Sequence, residues 1–121
     1  MILKDDFFKI IEQNGNDFLI KLNKNHWIYH AHFPQNPITP GVVLVQISSE
    51  LLQIITKSTL FLKKIKNMKF IAAINPEIDE NVQFKFLKIE QSDNIYSVAV
   101  EICSRQQQFA KMSAQFLINN R

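Results

Sequence analysis

The chain has 121 residues, 46% of them hydrophobic and 21% charged, enough for one ordinary globular domain spanning 1–121. Its formal charge of +3 is too weak a surplus to argue for nucleic acid, and the lone Cys103 excludes an intrachain disulfide and makes cytoplasmic residence the natural expectation. The opening MILKDDFFKIIEQ has two Asp within six residues and no continuous apolar run, which excludes a signal peptide, and no stretch approaches the roughly 18 apolar residues of a membrane-spanning helix.

In chain order, residues 3–13 (LKDDFFKIIEQ) predict a short N-terminal amphipathic helix with Phe7, Ile10 and Ile11 on one side. Asn14-Gly15-Asn16 ends it, with Gly15 as a left-handed residue just past its C-terminus. Residues 17–23 predict a strand, and residues 27–30 (WIYH) a second, short one. From His32 to Pro40 (HFPQNPITP) three prolines exclude regular structure. Each proline fixes its own φ and restricts the residue before it, so this loop is stiff and suited to holding a catalytic group. Gly41 to about Lys57 is the strongest helix. Val43, Leu44, Ile47, Leu51, Ile54 and Ile55 make a broad apolar face, and Gln46, Glu50, Gln53 and Lys57 a narrow polar stripe.

The second half alternates with period two. Val82, Phe84 and Phe86 predict one strand; Tyr96, Val98, Val100 and Ile102 another; Ala110, Met112, Ala114, Phe116 and Ile118 a third. Residues 66–74 predict a further strand, and Asp93-Asn94 a hairpin turn. One helix wrapped by an antiparallel sheet is an α+β architecture. Lys57, Lys63, Lys64, Lys66 and Lys69 bunch within thirteen positions, either as a solvated strand edge or as a docking surface for an acidic partner. The ten Phe either fill the core or line a tunnel for an apolar ligand.

The segment His32-Phe33-Pro34-Gln35-Asn36-Pro37-Ile38-Thr39-Pro40-Gly41-Val42-Val43 resembles the H-F-P-G-x-P-x-M-P-G-V-L signature of the 3-hydroxyacyl-ACP dehydratases. The order and lengths of the elements agree with that family over nearly the whole chain. The resemblance implies a hot-dog fold, one long central helix wrapped by an antiparallel sheet, working as a dimer. It is closer to the short dehydratase-like proteins of bacterial polyene and pigment pathways than to the housekeeping enzyme of fatty acid synthesis. Ala31 and Gln35 stand where the family has glycines, and Thr39 where Met is common. The family's Pro-Gly-Asp in the later sheet is missing, with Pro76-Glu77 in a similar place. On the helix the family carries a carboxylate followed four residues later by Gln; here Gln46 and Glu50 exchange those two residues.

The implied reaction removes the α-proton of a (3R)-3-hydroxyacyl thioester and expels the hydroxyl as water. Neutral His32 suits the base. Backbone N–H groups at the start of the helix suit the thioester oxygen as it gains charge. Glu50 is the candidate acid and Gln46 an orienting amide. Phe33, Pro40, Gly41 and Val42 are the expected substrate contacts. His30 faces the same side as His32 if the two share a strand. The three His and one Cys have no metal-ligand spacing, so neither metal nor cofactor is expected. The implied partners are an acyl carrier protein bearing the substrate and a second hot-dog chain, identical or related, with no role for nucleic acid or membrane. Two further readings stay open: a dehydratase-like subunit that only binds an acyl chain or completes a heterodimer, and a thioesterase, which the proline-rich His loop disfavours.

Overall fold

The structure, a computed structural model, describes residues 2–31 and 35–119. Its elements are β1 (Phe8–Asn14), β2 (Asp17–Leu22), α1 (Trp27–Ala31), α2 (Gly41–Thr56), β3 (Leu60–Phe70), β4 (Asn81–Ser92), β5 (Ile95–Cys103) and β6 (Gln108–Ile118). The strands form one six-stranded antiparallel sheet in the order β1-β2-β4-β5-β6-β3.

α2 covers one face of this sheet. Val43, Leu44, Ile47, Leu51 and Leu52 are buried in a single core with the inward residues of the strands, among them Phe84, Val100 and Phe116. Lys57 ends the helix in the left-handed conformation (φ 53°). The alternation expected of β4, β5 and β6 holds. Val82, Phe84, Phe86, Val98, Val100, Ile102, Ala110, Met112, Ala114 and Phe116 are all buried. Asp93, at φ 54°, makes the turn between β4 and β5.

The first thirty residues differ from expectation. There is no N-terminal helix: residues 8–14 are β1, and Leu3 to Phe8 form a tight turn in which Asp5 is left-handed (φ 69°). A β-bulge at Ile11 shifts the β1–β2 register. Before it, Phe8 and Ile10 point inward by period two; the extra residue makes Phe7, Ile10 and Ile11 look helically spaced. Gly15 (φ 65°) is left-handed as expected, but it turns the β1–β2 hairpin rather than ending a helix. Residues 27–31 are helix α1, not a strand. Ile28 and Tyr29, adjacent in sequence, are both buried while Trp27 and His30 are exposed, a pattern that strand alternation forbids. The strand expected at 66–74 begins earlier, at Leu60, and ends at Phe70. It is one of the sheet's two edge strands, exposed on both faces over most of its length, so it carries no alternation to read.

Candidate active site at the start of the central helix

His32 and Phe33 lie outside the described residues. The chain on either side of them is firmly held. Tyr29 of α1 is buried, and its hydroxyl donates to Thr39 Oγ1 at 2.9 Å. Thr39 Oγ1 donates in turn to the carbonyl of Ile74 at 3.2 Å, and the Thr39 N–H donates to the same oxygen at 2.9 Å. Burial pushes the Tyr29 phenol up to about 12, against the smaller opposing effect of its bond to Thr39. Thr39, which departs from the family's Met, thus pins the end of the proline-rich segment to the chain between β3 and β4.

Pro40 then opens α2 with extended backbone (φ −63°, ψ 145°) and no side-chain cap. The first helical bonds run from the N–H groups of Val43 and Leu44 to the Pro40 carbonyl. The N–H groups of Gly41 and Val42 precede them and point out of the helix end. Gly41 lets the ring of Phe70, at the end of β3, lie close to the helix start: a Cβ there would come within 2.6 Å of the ring tip, which would have to swing aside. Pro40, Gly41, Thr39 and Phe70 line a pocket of about 400 Å³. Phe70 is 62% exposed, and nothing in the sequence pattern marks it as a neighbour of the helix start.

A second concavity of about 680 Å³ runs along α2 beside the beginning of β3 and brings Val42, Gln46 and Glu50 together with Ile2, Ile54 and Phe61. Within the polar stripe of α2, Gln46, Glu50 and Gln53 are therefore not a solvated face, while Lys57 at its end is exposed. Glu50 is 8% exposed. Its Oε2 accepts the Leu3 N–H at 2.8 Å and the Gln46 side-chain amide at 2.9 Å; its Oε1 accepts the Lys4 N–H at 2.8 Å. Gln53 ties the other end of the stripe: its Oε1 accepts the Leu60 N–H at 3.3 Å and its Nε2 donates to Ser49. Both residues anchor backbone segments to α2, the turn before β1 and the start of β3.

The other two histidines stand apart. His30 is exposed on α1 and does not share a strand with residue 32. His26 is buried: its Nδ1 accepts the Ile28 N–H at 3.1 Å, so its Nε2 carries the proton and donates to Asp6 at 3.1 Å. It caps α1 and holds the turn before β1. Among the described residues no group of His, Cys, Asp and Glu is arranged to hold a metal ion, and no helix is long and apolar enough to cross a membrane.

No curated protein matches the sequence. Solved structures do match its fold. The dehydratase heterocomplex ApeI:P from Xenorhabdus doucetiae has a chain 16% identical, with TM-score 0.62 over 90% of this chain and 98% of that one. A hypothetical thioesterase from Streptococcus pneumoniae, solved with coenzyme A, is 11% identical with TM-score 0.61 over 98% and 93%. A thioesterase from Haemophilus influenzae is 12% identical with TM-score 0.62 over 93% and 78%. At these identities the likeness shows the hot-dog fold. Residues 10–113 match the family described as ApeI-like, ApeI dehydratase, and that span includes the histidine–proline segment, α2 and nearly all of the sheet: the chain belongs to the ApeI-like dehydratase family.

Proposed function

We propose that the chain dehydrates (3R)-3-hydroxyacyl groups held as thioesters on an acyl carrier protein, giving trans-2-enoyl thioesters. The observation that carries the reading is the start of α2. It presents the Gly41 and Val42 N–H groups without a side-chain cap, directly after the His-Pro segment and beside an apolar groove. His32 takes the α-proton, and the electron pair left behind forms the Cα–Cβ double bond as the C3–O bond breaks. Negative charge growing on the thioester oxygen is met by the helix N–H groups. Phe33 and Pro40 are the further proposed substrate contacts, and the acyl chain lies along the apolar groove. The departing hydroxide needs a proton. Glu50, the ionisable member of the Glu50–Gln46 pair, is the proposed donor in its protonated form: Oε2 accepts two N–H groups and Oε1 one, which leaves a site on Oε1 to carry the proton.

The chain works paired with another hot-dog chain, as the heterocomplex formed by its relative supports. Enoyl absorbance followed with a 3-hydroxyacyl thioester, with and without carrier protein, tests the reaction. Turnover that rises with carrier supports the full reading, and no turnover on either substrate by the paired protein rejects it.

A second reading is carried by Glu50 itself. Three N–H donors already occupy both of its oxygens, which suits a structural clamp better than an acid. The chain is then a non-catalytic or weakly active subunit that binds acyl chains or completes a partner's site.

A further inference from the structure

The groove beside α2 has a direction. The residues of α2 that face it include Val42, Val45, Gln46, Ser49, Glu50 and Gln53, which follow one another along the helix at spacings of three and four. One end of the groove therefore opens at the uncapped start of α2, and the other lies where α2 gives way to β3. Ile2, Leu60 and Phe61 help to complete its lining. The polar side chains along it are partnered. Gln46 donates to Glu50, Glu50 takes the Leu3 and Lys4 N–H groups, and Gln53 donates to Ser49 Oγ. An alkyl chain lying against them breaks none of these bonds, so it gains apolar contact without stranding a polar group.

Gln53 spans the groove from α2 to β3. Its side chain turns back along the helix, as helical side chains do, and its Nε2 donates to the Ser49 carbonyl and to Ser49 Oγ, both at 3.2 Å. Its Oε1 accepts the N–H of Leu60, the first residue of β3, at 3.3 Å. One amide thus ties helix to sheet at the level of Ser49, held by backbone groups on both sides. From Val42 to Ser49 the helix rises about 10 Å. A fully extended chain advances about 1.2 Å per bond. Counted from a thioester carbonyl at the helix start, that distance holds an acyl chain of roughly ten carbons.

We infer that Gln53 is the end stop of the acyl groove, a specificity-determining residue that limits the site to chains of roughly ten carbons. The inference rests on the proposed lie of the acyl chain along the groove, and not on whether that chain is turned over. Beyond the amide the lining continues with Ile54 and Thr59. Without the amide a chain can run on to the level of residue 53 itself, one helical turn deeper and roughly five carbons longer.

The test is a binding series with saturated acyl-pantetheine thioesters, which have no 3-hydroxyl to lose and so report the groove without turnover. Titration calorimetry on the full chain should show affinity rising about two- to fourfold with each added carbon up to roughly ten, and no further rise beyond. In Gln53→Ala the rise should continue for roughly five more carbons. Val45→Phe fills the groove nearer the helix start and leaves the bonds of Gln53 alone, so the rise should end several carbons earlier. Circular dichroism checks the folding of each variant, and Gln53→Ser replaces Gln53→Ala if the latter does not fold. A wild-type series that keeps tightening well past ten carbons overturns the inference. So does a Gln53 variant that binds every length equally more weakly with the break unmoved, as loss of a merely structural tie would give. Either result leaves the groove as the acyl site. No binding at any length overturns the end stop and the groove reading together. A break that moves as expected in a protein with no dehydratase turnover supports the end stop and rejects the reaction alone.

Discussion

At the start of α2, Pro40 supplies no side-chain cap and Gly41 leaves the helix end bare. About two and a half turns further on, Glu50 is buried with three N–H donors around one carboxylate. Among the described residues no buried side-chain nitrogen or oxygen lacks a partner, so the bare helix end stands out against an interior whose polar atoms are satisfied. The contrast separates two kinds of polar group on one helix. Satisfied groups hold the fold, and groups left open at a concave surface are available to a ligand.

The largest effect on this contrast is expected from His32→Ala. It removes the proposed base and should cost more than about tenfold in turnover while leaving the fold intact. A folded variant with wild-type turnover in the enoyl assay would remove His32 from the mechanism.

The Gln46 and Glu50 pair comes next, and it decides between the two readings of the satisfied region. If Glu50 is the acid, Glu50→Gln costs far more activity than Gln46→Ala, and Gln46→Glu raises turnover by returning a carboxylate to the family's usual position. If Glu50 is only a clamp, Glu50→Gln leaves turnover unchanged and Gln46→Glu creates activity where there was none. Under either reading Glu50→Gln also lowers stability, by about 1–3 kcal/mol in denaturant titrations, because a carboxamide cannot accept from all three N–H groups at once.

Gly41→Ala probes the open end with a smaller change. The new methyl group must displace the exposed Phe70 ring, which has room to swing. Stability should change by less than about 1 kcal/mol, while turnover falls about tenfold as the helix N–H groups become screened. A loss of stability without a loss of rate would mean that the thioester does not use this end of α2.

The smallest effect concerns the anchor behind it. Tyr29→Phe deletes one buried hydrogen bond to Thr39, worth about 1 kcal/mol at neutral pH. Burial raises the phenol in the folded state, so wild type should hold its stability below pH 10 and lose it relative to the variant as pH climbs towards about 12, because the unfolded chain gives up its proton first. Thermal melts of the two proteins across that window should converge.

Much of this was legible in the sequence, for reasons tied to particular residues. β4, β5 and β6 each bury one face, so Val82 to Phe86, Tyr96 to Ile102 and Ala110 to Ile118 display their period directly. α2 announced itself by its breadth of apolar side chains. β1 did not, because the bulge at Ile11 disguised a strand as a helix. β3 did not, because an edge exposed on both faces has no inside. In the site, the proline-rich segment and Gly41 stood out, but the partners of Glu50 could not. They are backbone N–H groups 46 and 47 residues away, invisible to any pattern of side chains. Phe70 was hidden for a similar reason: its contact is with the absence of a side chain at Gly41.

That backbone contact has a consequence for variation. The Glu50 carboxylate grips Leu3 and Lys4 through main-chain N–H groups, which every amino acid but one supplies in the same form. The grip is blind to what residue 4 is and sensitive only to whether it carries a hydrogen on its nitrogen. Lys4, exposed to solvent, should accept almost any replacement with little effect on the melting temperature. Lys4→Pro should loosen the whole leading segment from the helix, since it removes the donor and leaves a buried carboxylate oxygen facing a ring carbon. The same position is thus the most permissive and the most restrictive in its neighbourhood, depending only on the backbone chemistry of what is placed there.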